Sequence, residues 1–240
     1  MTTGPTADRP TARDQTTKDP GPQDLKDDDR TQDEALAFGR WLFAQECTFD
    51  RAVATLDQLP GEGPPEVAFA GRSNVGKSSL VNALTGRNTL AKTSNTPGRT
   101  QQLIFFTLGN RLRLVDMPGY GYAKVPKPVK EAWTDMLRAF LRGRVPLRRA
   151  CVLIDARHGI KENDHEILDL LDKSGVAYLL TLTKADKVKP AALESVIEGC
   201  KAVLAKRAAA FPDIHVTSAE TGRGIDGLRA SLAALARDAP

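Results

Sequence analysis

The chain has 240 residues, 41% of them apolar, enough to bury the core of one large domain or of one domain with tails. No run approaches the roughly 18 consecutive apolar residues of a membrane span, and the N-terminus lacks the apolar stretch of a signal peptide, so a cytoplasmic protein is expected. Residues 1–34 carry five basic and nine acidic residues within an overall net charge of +4, which leaves a strongly basic remainder suited to a polyanionic partner.

Three regions follow one another along the chain. Residues 1–33 are rich in Thr, Asp, Pro and Gln and are predicted to be a disordered acidic tail. Residues 34–65 are predicted to form a helical segment and linker, because apolar residues recur at helical spacing from Ala35 to Leu59 before Pro60–Pro65 break the pattern. Neither the three cysteines nor the three histidines have the spacing of a disulfide framework or a metal site.

Strands and helices alternate over residues 66–237, which predicts an α/β fold of three layers. The six predicted strands are EVAFA, QQLIFFTL, RLRLVD, ACVLIDA, AYLLTLT and IHVTS. Gly109-Asn110 predicts a tight hairpin between the second and third strands. The expected sheet is therefore mostly parallel and six-stranded, with one antiparallel edge strand and helices on both faces. The helices are predicted to begin near Lys77, Pro128, Glu162, Pro190 and Gly224.

The stretch GRSNVGKS at positions 71–78 fits the pattern G-x-x-x-x-G-K-[ST] and lies between a strand and a helix. Glycines in such a loop let successive backbone N–H groups surround a polyphosphate, next to the positive end of the helix dipole. Lys77 is predicted to reach the β- and γ-phosphates, and the Ser78 hydroxyl to ligate Mg²⁺. The motif therefore predicts a bound nucleotide.

A second motif, TKAD at Thr183–Asp186, directly follows an apolar strand. The Asp186 carboxylate can accept hydrogen bonds from N1–H and N2–H₂ of guanine, a donor pair that adenine lacks. Lys184 can lay its alkyl stem along the base. The run TSA (Thr217–Ala219) follows the last strand and can offer a backbone N–H to the guanine carbonyl oxygen. Together these residues predict guanine specificity.

Two segments between these motifs suit the γ-phosphate and Mg²⁺. DMPG (Asp116–Gly119) ends the third strand, where Asp116 can hold Mg²⁺ through a water molecule and the Gly119 N–H can contact the γ-phosphate. NTPGRTQ precedes the second strand and offers Thr100 as a further ligand, with Thr93 and Thr96 nearby as alternatives.

Together, GRSNVGKSSL, NTPGRTQ, DMPGYGYAKV and TKAD resemble the EngB family (also called YihA or YsxC) of the translation-factor-like P-loop GTPases. The resemblance covers about Leu59 to Leu235, and DMPGYGYAKV is its most specific part, because related GTPases lack the aromatic-glycine repeat. It implies a Ras-like P-loop GTPase domain that hydrolyses GTP with Mg²⁺. It also implies a switch in large ribosomal subunit assembly, needed for normal cell division and septation.

The nucleotide contacts that the resemblance implies fall in five segments. They are Gly71, Arg72, Ser73, Asn74, Val75, Gly76, Lys77 and Ser78 in the P-loop; Gly98, Arg99, Thr100, Gln101 and Gln102 in the first switch; Asp116, Met117, Pro118 and Gly119 in the second switch; and Thr183, Lys184, Ala185, Asp186, Thr217, Ser218 and Ala219 at the base. Ser78 and Thr100 would hold Mg²⁺. The residues expected to take part in catalysis are Lys77, Thr100, Gly119 and Asn74.

Slow intrinsic hydrolysis is expected. In Ras-like enzymes a glutamine directly after the second-switch glycine orients the attacking water, and here that position is Tyr120. The side-chain carbonyl of Asn74 could coordinate K⁺ beside the β- and γ-phosphates, as in several GTPases with an asparagine at this position. The alternative is that Asn74 only hydrogen-bonds within the loop.

Positions 124–149 hold eight basic and two acidic residues. Within the helix predicted from Pro128, a polar stripe recurs every four residues, opposite an apolar face. The stripe consists of Lys130, Thr134, Arg138 and Arg142. Such a stripe can neutralise RNA phosphates, so the predicted partner is the large ribosomal subunit or its rRNA-containing precursor. The alternative is an ordinary solvated helix face.

Two hypotheses about function follow. The first is a GTP-hydrolysing switch in ribosome assembly; the second is a nucleotide-dependent binding module that docks on a division or scaffold protein and hydrolyses GTP incidentally. A tRNA-modifying or small-molecule enzyme is disfavoured, because no catalytic Cys or His constellation is present. The expected partners are GTP, GDP and a ribosomal particle, without membrane or DNA, and no heptad run predicts an oligomer, so a monomer is expected.

Overall fold

The computed structural model describes Met1 and residues 22–87, 90, 102–120 and 127–237, with only the helical backbone described for 22–30 and 127–130. The chain divides into two units, Met1–Asp33 and Glu34–Pro240. The first predicted switch (Gly98, Arg99, Thr100 and Gln101, with Thr93 and Thr96) and the GYAKV part of the second lie outside the described residues. Within the described part, no helix has the length and apolarity needed to span a bilayer.

Seven strands and six α-helices occupy the described residues. The strands are β1 (Cys47–Val53), β2 (Glu66–Gly71), β3 (Leu103–Leu108), β4 (Leu112–Asp116), β5 (Leu147–Asp155), β6 (Tyr178–Thr183) and β7 (Ala210–Val216). The helices are α1 (Pro22–Ala44), α2 (Lys77–Thr85), α3 (Lys127–Gly143), α4 (Glu162–Ser174), α5 (Pro190–Leu204) and α6 (Ile225–Arg237), with short 3₁₀ turns at Leu56–Gln58 and Ala185–Lys187. The last five helices begin within one residue of their predicted starts.

The strands form one sheet in the order β1-β3-β4-β2-β5-β6-β7. Strand β3 runs antiparallel to both of its neighbours, β1 and β4, and the remaining pairs are parallel. The predicted fold class, a mostly parallel sheet with helices on both faces, is confirmed; the antiparallel strand predicted at the edge is β3, which lies second from the edge. The carboxyl ends of β2, β4, β5 and β6 therefore meet at one edge, where ligands bind in open α/β sheets.

The predicted count of six strands is wrong, because β1 adds a seventh at the edge of the sheet. The helical pattern predicted from Ala35 to Leu59 ends at Ala44, and Cys47–Val53 instead pair with β3. A bulge between Phe49 and Arg51 interrupts the alternation of apolar and polar residues that would reveal a strand. At its other end, α1 begins at Pro22, inside the segment that was expected to lack regular structure.

Two apolar clusters hold the helices against opposite faces of the sheet. One joins β-strand side chains to α3, α4 and α5, with Phe105 against Phe140 in an edge-to-face contact. The other joins the opposite face to α2, α6 and the C-terminal part of α1, including the buried Leu42 and Phe43. The three cysteines are all buried and free. The strand ends are thus fixed by packing on both sides, which holds the loops that follow them in place.

Candidate nucleotide-binding site

The loop from Gly71 to Ser78 has the backbone shape of a phosphate cradle. It leaves the fully buried strand β2 and enters α2 at Lys77. Asn74 and Gly76 both adopt left-handed conformations, with φ of 63° and 102°. Alternation of left- and right-handed residues turns successive backbone N–H groups toward one point, which makes a concave anion site. The buried Val75, 4% exposed, anchors the middle of the loop.

Lys77 and Asp116 meet beside this loop. Strands β2 and β4 are parallel neighbours with Phe69 opposite Asp116, so the end of β4 lies next to the start of the loop. The Lys77 ammonium contacts the Asp116 carboxylate directly, and both side chains are largely buried. Ser78 follows Lys77 at the first turn of α2 and is half-buried. The structure therefore places a cation, a carboxylate and a hydroxyl at one end of the cradle.

The second switch is attached to the P-loop through its backbone. The Tyr120 N–H donates to the Gly71 carbonyl, and the Ser73 N–H donates to the Tyr120 carbonyl, each at 3.2 Å. Gly119 lies so close to Ser73 that a Cβ on it would be 2.8 Å from the Ser73 Oγ. A larger residue than glycine would therefore force the second switch away from the P-loop.

The Tyr120 side chain points into the protein. Its hydroxyl donates a hydrogen bond of 2.9 Å to Oδ1 of Asp164, a fully buried carboxylate in the first turn of α4. The other oxygen, Oδ2, accepts the Lys161 N–H and caps that helix. Burial and the neighbouring Asp164 carboxylate both raise the pKa of the Tyr120 phenol far above its ordinary value. Tyr120 is thus a half-buried residue whose hydroxyl is a hydrogen-bond donor.

Two consecutive residues of TKAD hold two consecutive P-loop carbonyls. The Thr183 hydroxyl donates to the Val75 carbonyl at 2.6 Å, and the Lys184 ammonium donates to the Asn74 carbonyl at 2.6 Å. Lys184 itself has a φ of 57°, a strained left-handed conformation for a lysine. These two bonds join the base motif rigidly to the phosphate loop.

A cavity of about 140 Å³ lies where these motifs meet. Its lining consists of Gly76, Ser79, Leu80, Thr183, Lys184, Asp186, Lys187, Thr217, Ala219 and Glu220. The Ser218 hydroxyl donates to Oδ1 of Asp186 at 2.7 Å, and the Lys187 ammonium lies 3.0 Å from Oδ2. These hydrogen bonds, Ser218 first, lower the pKa of Asp186, so its carboxylate is held ionised. The cavity joins the P-loop to an oriented carboxylate.

Not every predicted site residue presents its side chain to this region. Met117 and Ala185 are 2% exposed and belong to the apolar core, so only their backbones face the site. The buried Thr217 hydroxyl donates to the Leu182 carbonyl. Gln102 lies half-buried just before β3, and Pro118 is half-buried between Met117 and Gly119.

Several residues around the site lie outside the predicted motifs. The cavity lining also includes Lys187 and Glu220, which directly follow the two base motifs, and Ser79 and Leu80, which follow the P-loop. Extending each motif by one or two residues would have included them. Asp155 lies at the end of β5, with its carboxylate 3.0 Å from the Lys184 ammonium. An acidic residue that closes the apolar run ACVLI was the available signal.

A P-loop joined to a separate, oriented carboxylate on this fold is typical of P-loop GTPases. Residues 66–184 match the family model described as 50S ribosome-binding GTPase. A probable GTP-binding protein EngB of Rhodospirillum rubrum is 57% identical over 84% of this chain and 90% of its own length, and one of Gluconobacter oxydans is 56% identical over 82% and 87%. The chain belongs to the EngB family of GTP-binding proteins.

One solved structure supports this assignment, and a second shares the fold. The crystal structure of a probable GTP-binding protein EngB matches with a TM-score of 0.57 and 27% identity, covering 72% of this chain and all of that one. Era from Aquifex aeolicus, solved with GDP and AlF₄⁻, matches with a TM-score of 0.58 at 20% identity, covering 75% of this chain and 59% of its own. The second match shows a shared fold.

Proposed function

We propose that the protein is a slow, Mg²⁺-dependent GTPase that acts in the cytoplasm as a switch on the large ribosomal subunit or its precursor, and that cell division and septation depend on this role. The observation that carries the nucleotide part is the cavity that joins the P-loop to the Asp186 carboxylate. Membership of the EngB family and the match to a 50S ribosome-binding GTPase model support the ribosomal part.

Guanine selection would depend on a carboxylate that is already oriented. Asp186 is held by the Ser218 hydroxyl on one oxygen and faces the Lys187 ammonium with the other. Its remaining lone pairs can accept the N1–H and N2–H₂ donors of guanine, whereas adenine would leave them unpaired. The alkyl stem of Lys184 lines the same cavity and can pack against the base. Because these groups are fixed beforehand, little ordering entropy is lost on binding.

The described residues fit Mg²⁺ in their chemistry. The Ser78 hydroxyl and the Asp116 carboxylate are hard oxygen donors at the phosphate end of the cradle, the kind of ligand that Mg²⁺ prefers. Ser78 would bind the ion directly and Asp116 through water; the remaining proposed ligand, Thr100, lies outside the described residues. Bound Mg²⁺ would neutralise charge on the β- and γ-phosphates. Lys77 would then exchange its contact with Asp116 for the phosphates.

Hydrolysis by the protein alone is proposed to be slow. The Tyr120 hydroxyl is committed to Asp164, so it does not replace the water-orienting glutamine of Ras-like enzymes. Asn74 is exposed, and its backbone carbonyl is already bonded to Lys184, which leaves the side-chain amide oxygen as the acceptor at this position. We infer that this oxygen helps to bind K⁺ beside the β- and γ-phosphates, where a cation would offset developing negative charge.

Helix α3 supplies the proposed ribosomal surface. Arg138 and Arg142 are exposed, while Leu137, Phe140 and Leu141 on the opposite face are buried. Exposed cations on the helix that follows the second switch in the chain could report the nucleotide state to an RNA partner. The side chains of Lys124, Lys127 and Lys130 lie outside the described residues.

The exposed basic surface is smaller than the number of cations at positions 124–149 indicates. Arg144 is 9% exposed and donates to the buried Glu66 carboxylate at 2.8 Å. Arg149 packs over the Phe211 ring at 4.3 Å and donates to the Ser231 carbonyl. These two cations hold the fold together and do not contribute to an RNA-binding face.

Cosedimentation with large ribosomal subunits in the GTP-bound state tests the ribosomal part. Charge reversal at Arg138 and Arg142 is expected to weaken binding at least about tenfold and to reduce its salt dependence, with GTP affinity unchanged. The control is the same charge change at Lys201 and Lys206, exposed cations at the end of α5 and just beyond it. Salt-insensitive binding, or no binding by the wild-type protein in either nucleotide state, would instead favour a module that docks on a division or scaffold protein.

A further inference from the structure

We propose that Asp155 is a positioning residue for nucleotide retention: it holds the Lys184 ammonium against the Asn74 carbonyl of the P-loop. The inference deepens the proposed nucleotide site and rests on it. Asp155 is the last residue of β5 and belongs to none of the nucleotide motifs. Its carboxylate contacts Lys184, the residue that joins the TKAD motif to the P-loop. These two segments must stay together while a nucleotide is bound.

The Lys184 ammonium has two fixed acceptors. It donates to the Asn74 carbonyl at 2.6 Å and lies 3.0 Å from Oδ2 of Asp155. Its stem passes the P-loop closely, since a Cβ on Gly76 would be 3.5 Å from Cε of Lys184. Lys184 also lines the base cavity. Lys184 therefore touches the phosphate loop and the base site at once, and Asp155 fixes the end of its side chain.

The sheet register places this carboxylate. Strands β5 and β6 are parallel neighbours, with Asp155 directly opposite Thr183, the residue before Lys184. A lysine side chain has several rotatable bonds and loses entropy when it is ordered. A charged acceptor next to the backbone carbonyl offsets that loss with a charge-assisted bond.

Asp155 stays charged in this environment. Partial burial acts to raise its pKa, but hydrogen bonds from Arg157 and Lys184 outweigh burial and leave the pKa well below its ordinary value. The Arg157 guanidinium binds both carboxylate oxygens, at 2.9 and 2.7 Å, and the Arg157 N–H also donates to Oδ1 at 3.0 Å. A different role for Asp155, shaping only the turn toward Gly159, would depend on these Arg157 bonds and not on Lys184.

The two roles predict different effects. If Asp155 acts through Lys184, removing its carboxylate weakens the hold of the Lys184 side chain on the Asn74 carbonyl and at the base cavity. A bound nucleotide should then dissociate faster. If Asp155 only holds the turn through the Arg157 guanidinium, removing the Arg157 side chain should speed nucleotide escape as much, because an asparagine Oδ1 can still accept the Arg157 backbone N–H. Chemistry at the γ-phosphate needs neither contact directly, so the hydrolysis rate of bound GTP should change less than the dissociation rate of GDP.

The experiment measures dissociation of a fluorescent GDP analogue from the full chain in Mg²⁺ buffer, with thermal unfolding of each variant recorded. Asp155→Asn is expected to speed dissociation about tenfold, equivalent to about 1.4 kcal/mol. Arg157→Met should stay within about twofold of wild type, and Asp155→Asn combined with Lys184→Met should equal Lys184→Met alone, because the two residues act as one unit. The single-turnover rate of GTP hydrolysis by Asp155→Asn is expected to stay within about threefold of the wild-type rate.

The proposal is overturned if the GDP analogue leaves Asp155→Asn at a rate within twofold of wild type, or if Arg157→Met speeds its release as much as Asp155→Asn does. It is also overturned if the effects of the Asp155 and Lys184 substitutions on the dissociation rate are additive. Should Asp155→Asn fail to fold, Asp155→Glu keeps the charge but displaces it, and it should give an intermediate acceleration; a wild-type rate would then count against the proposal. Failure of ribosome binding leaves this test unaffected, whereas a wild-type protein that binds no GDP refutes the nucleotide site itself.

Discussion

The Ser218 hydroxyl donates a hydrogen bond of 2.7 Å to the Asp186 carboxylate, joining two loops at the carboxyl edge of the sheet. Ser218 is fully buried, so its hydroxyl cannot rotate freely toward water. A second link, from the Ala185 N–H to the Thr217 carbonyl at 3.1 Å, fixes the same two loops through their backbones. The carboxylate proposed to read guanine is therefore oriented by the fold.

Replacing Asp186 tests base reading. Asp186→Asn is expected to weaken GDP binding about a hundredfold or more, because the amide nitrogen would face the guanine donors. The same variant should gain affinity for xanthosine diphosphate, whose O2 carbonyl can accept a hydrogen bond. Titration with both nucleotides measures the change.

A smaller effect is expected at Ser218. Ser218→Ala removes the orienting bond, together with the bond that the Ser218 hydroxyl accepts from the Thr221 N–H, and should weaken GDP binding about tenfold. The matched control is Ser195→Ala, since the Ser195 hydroxyl bonds only to the Ala191 carbonyl of its own helix. Equal GDP binding by wild type and Asp186→Asn would contradict base reading by this carboxylate.

Guanine preference should be insensitive to pH in the neutral range. Hydrogen bonds from Ser218 and Lys187 lower the pKa of Asp186, so the carboxylate stays ionised down to and below the usual aspartate pKa of about 3.9. The interaction is present above that pH and is lost only as the pH falls through the lowered pKa. The ratio of GDP to inosine diphosphate affinity, in which the phosphate titration cancels, should be constant from pH 8 to pH 5. A tenfold fall of this ratio within that range would show that the carboxylate becomes protonated there.

Potassium should accelerate hydrolysis if the Asn74 amide helps to bind it. In KCl the rate is expected to be about tenfold or more above the rate in NaCl at equal ionic strength. Asn74→Gly should abolish the difference while keeping the loop, because glycine adopts the φ of 63° without strain. Equal hydrolysis rates in the two salts would contradict the potassium hypothesis. If Asn74→Gly is still faster in KCl than in NaCl, K⁺ must bind without the Asn74 side chain.

Tyr120 should matter for stability more than for catalysis. Tyr120→Phe leaves the buried Asp164 carboxylate with one donor fewer, which is expected to cost about 1–3 kcal/mol in the free energy of unfolding. Single-turnover GTP hydrolysis at a temperature where the variant is folded should change less than about threefold. Denaturant unfolding and a hydrolysis assay measure the two effects. A hundredfold loss of hydrolysis with unchanged stability would instead make Tyr120 a catalytic residue.

The sequence predicted the site motifs better than the periphery of the fold. The P-loop and TKAD are local patterns next to apolar strands, and their positions at the sheet edge follow from parallel strand order. Strand β1 depends on pairing with β3, about fifty residues away, and its bulge hides the alternation. Arg144 and Arg149 look like surface cations in sequence, and only their contacts with Glu66 and Phe211 reveal a structural role.

Competitive nucleotide binding to the purified full chain tests the central claim most directly. Displacement of a fluorescent GDP analogue should occur with GDP and GTP at concentrations at least about a thousandfold lower than with ADP or ATP, because adenine leaves the Asp186 carboxylate unpaired. Displacement by ATP at concentrations similar to those of GTP, or no binding of any guanine nucleotide, would contradict the account.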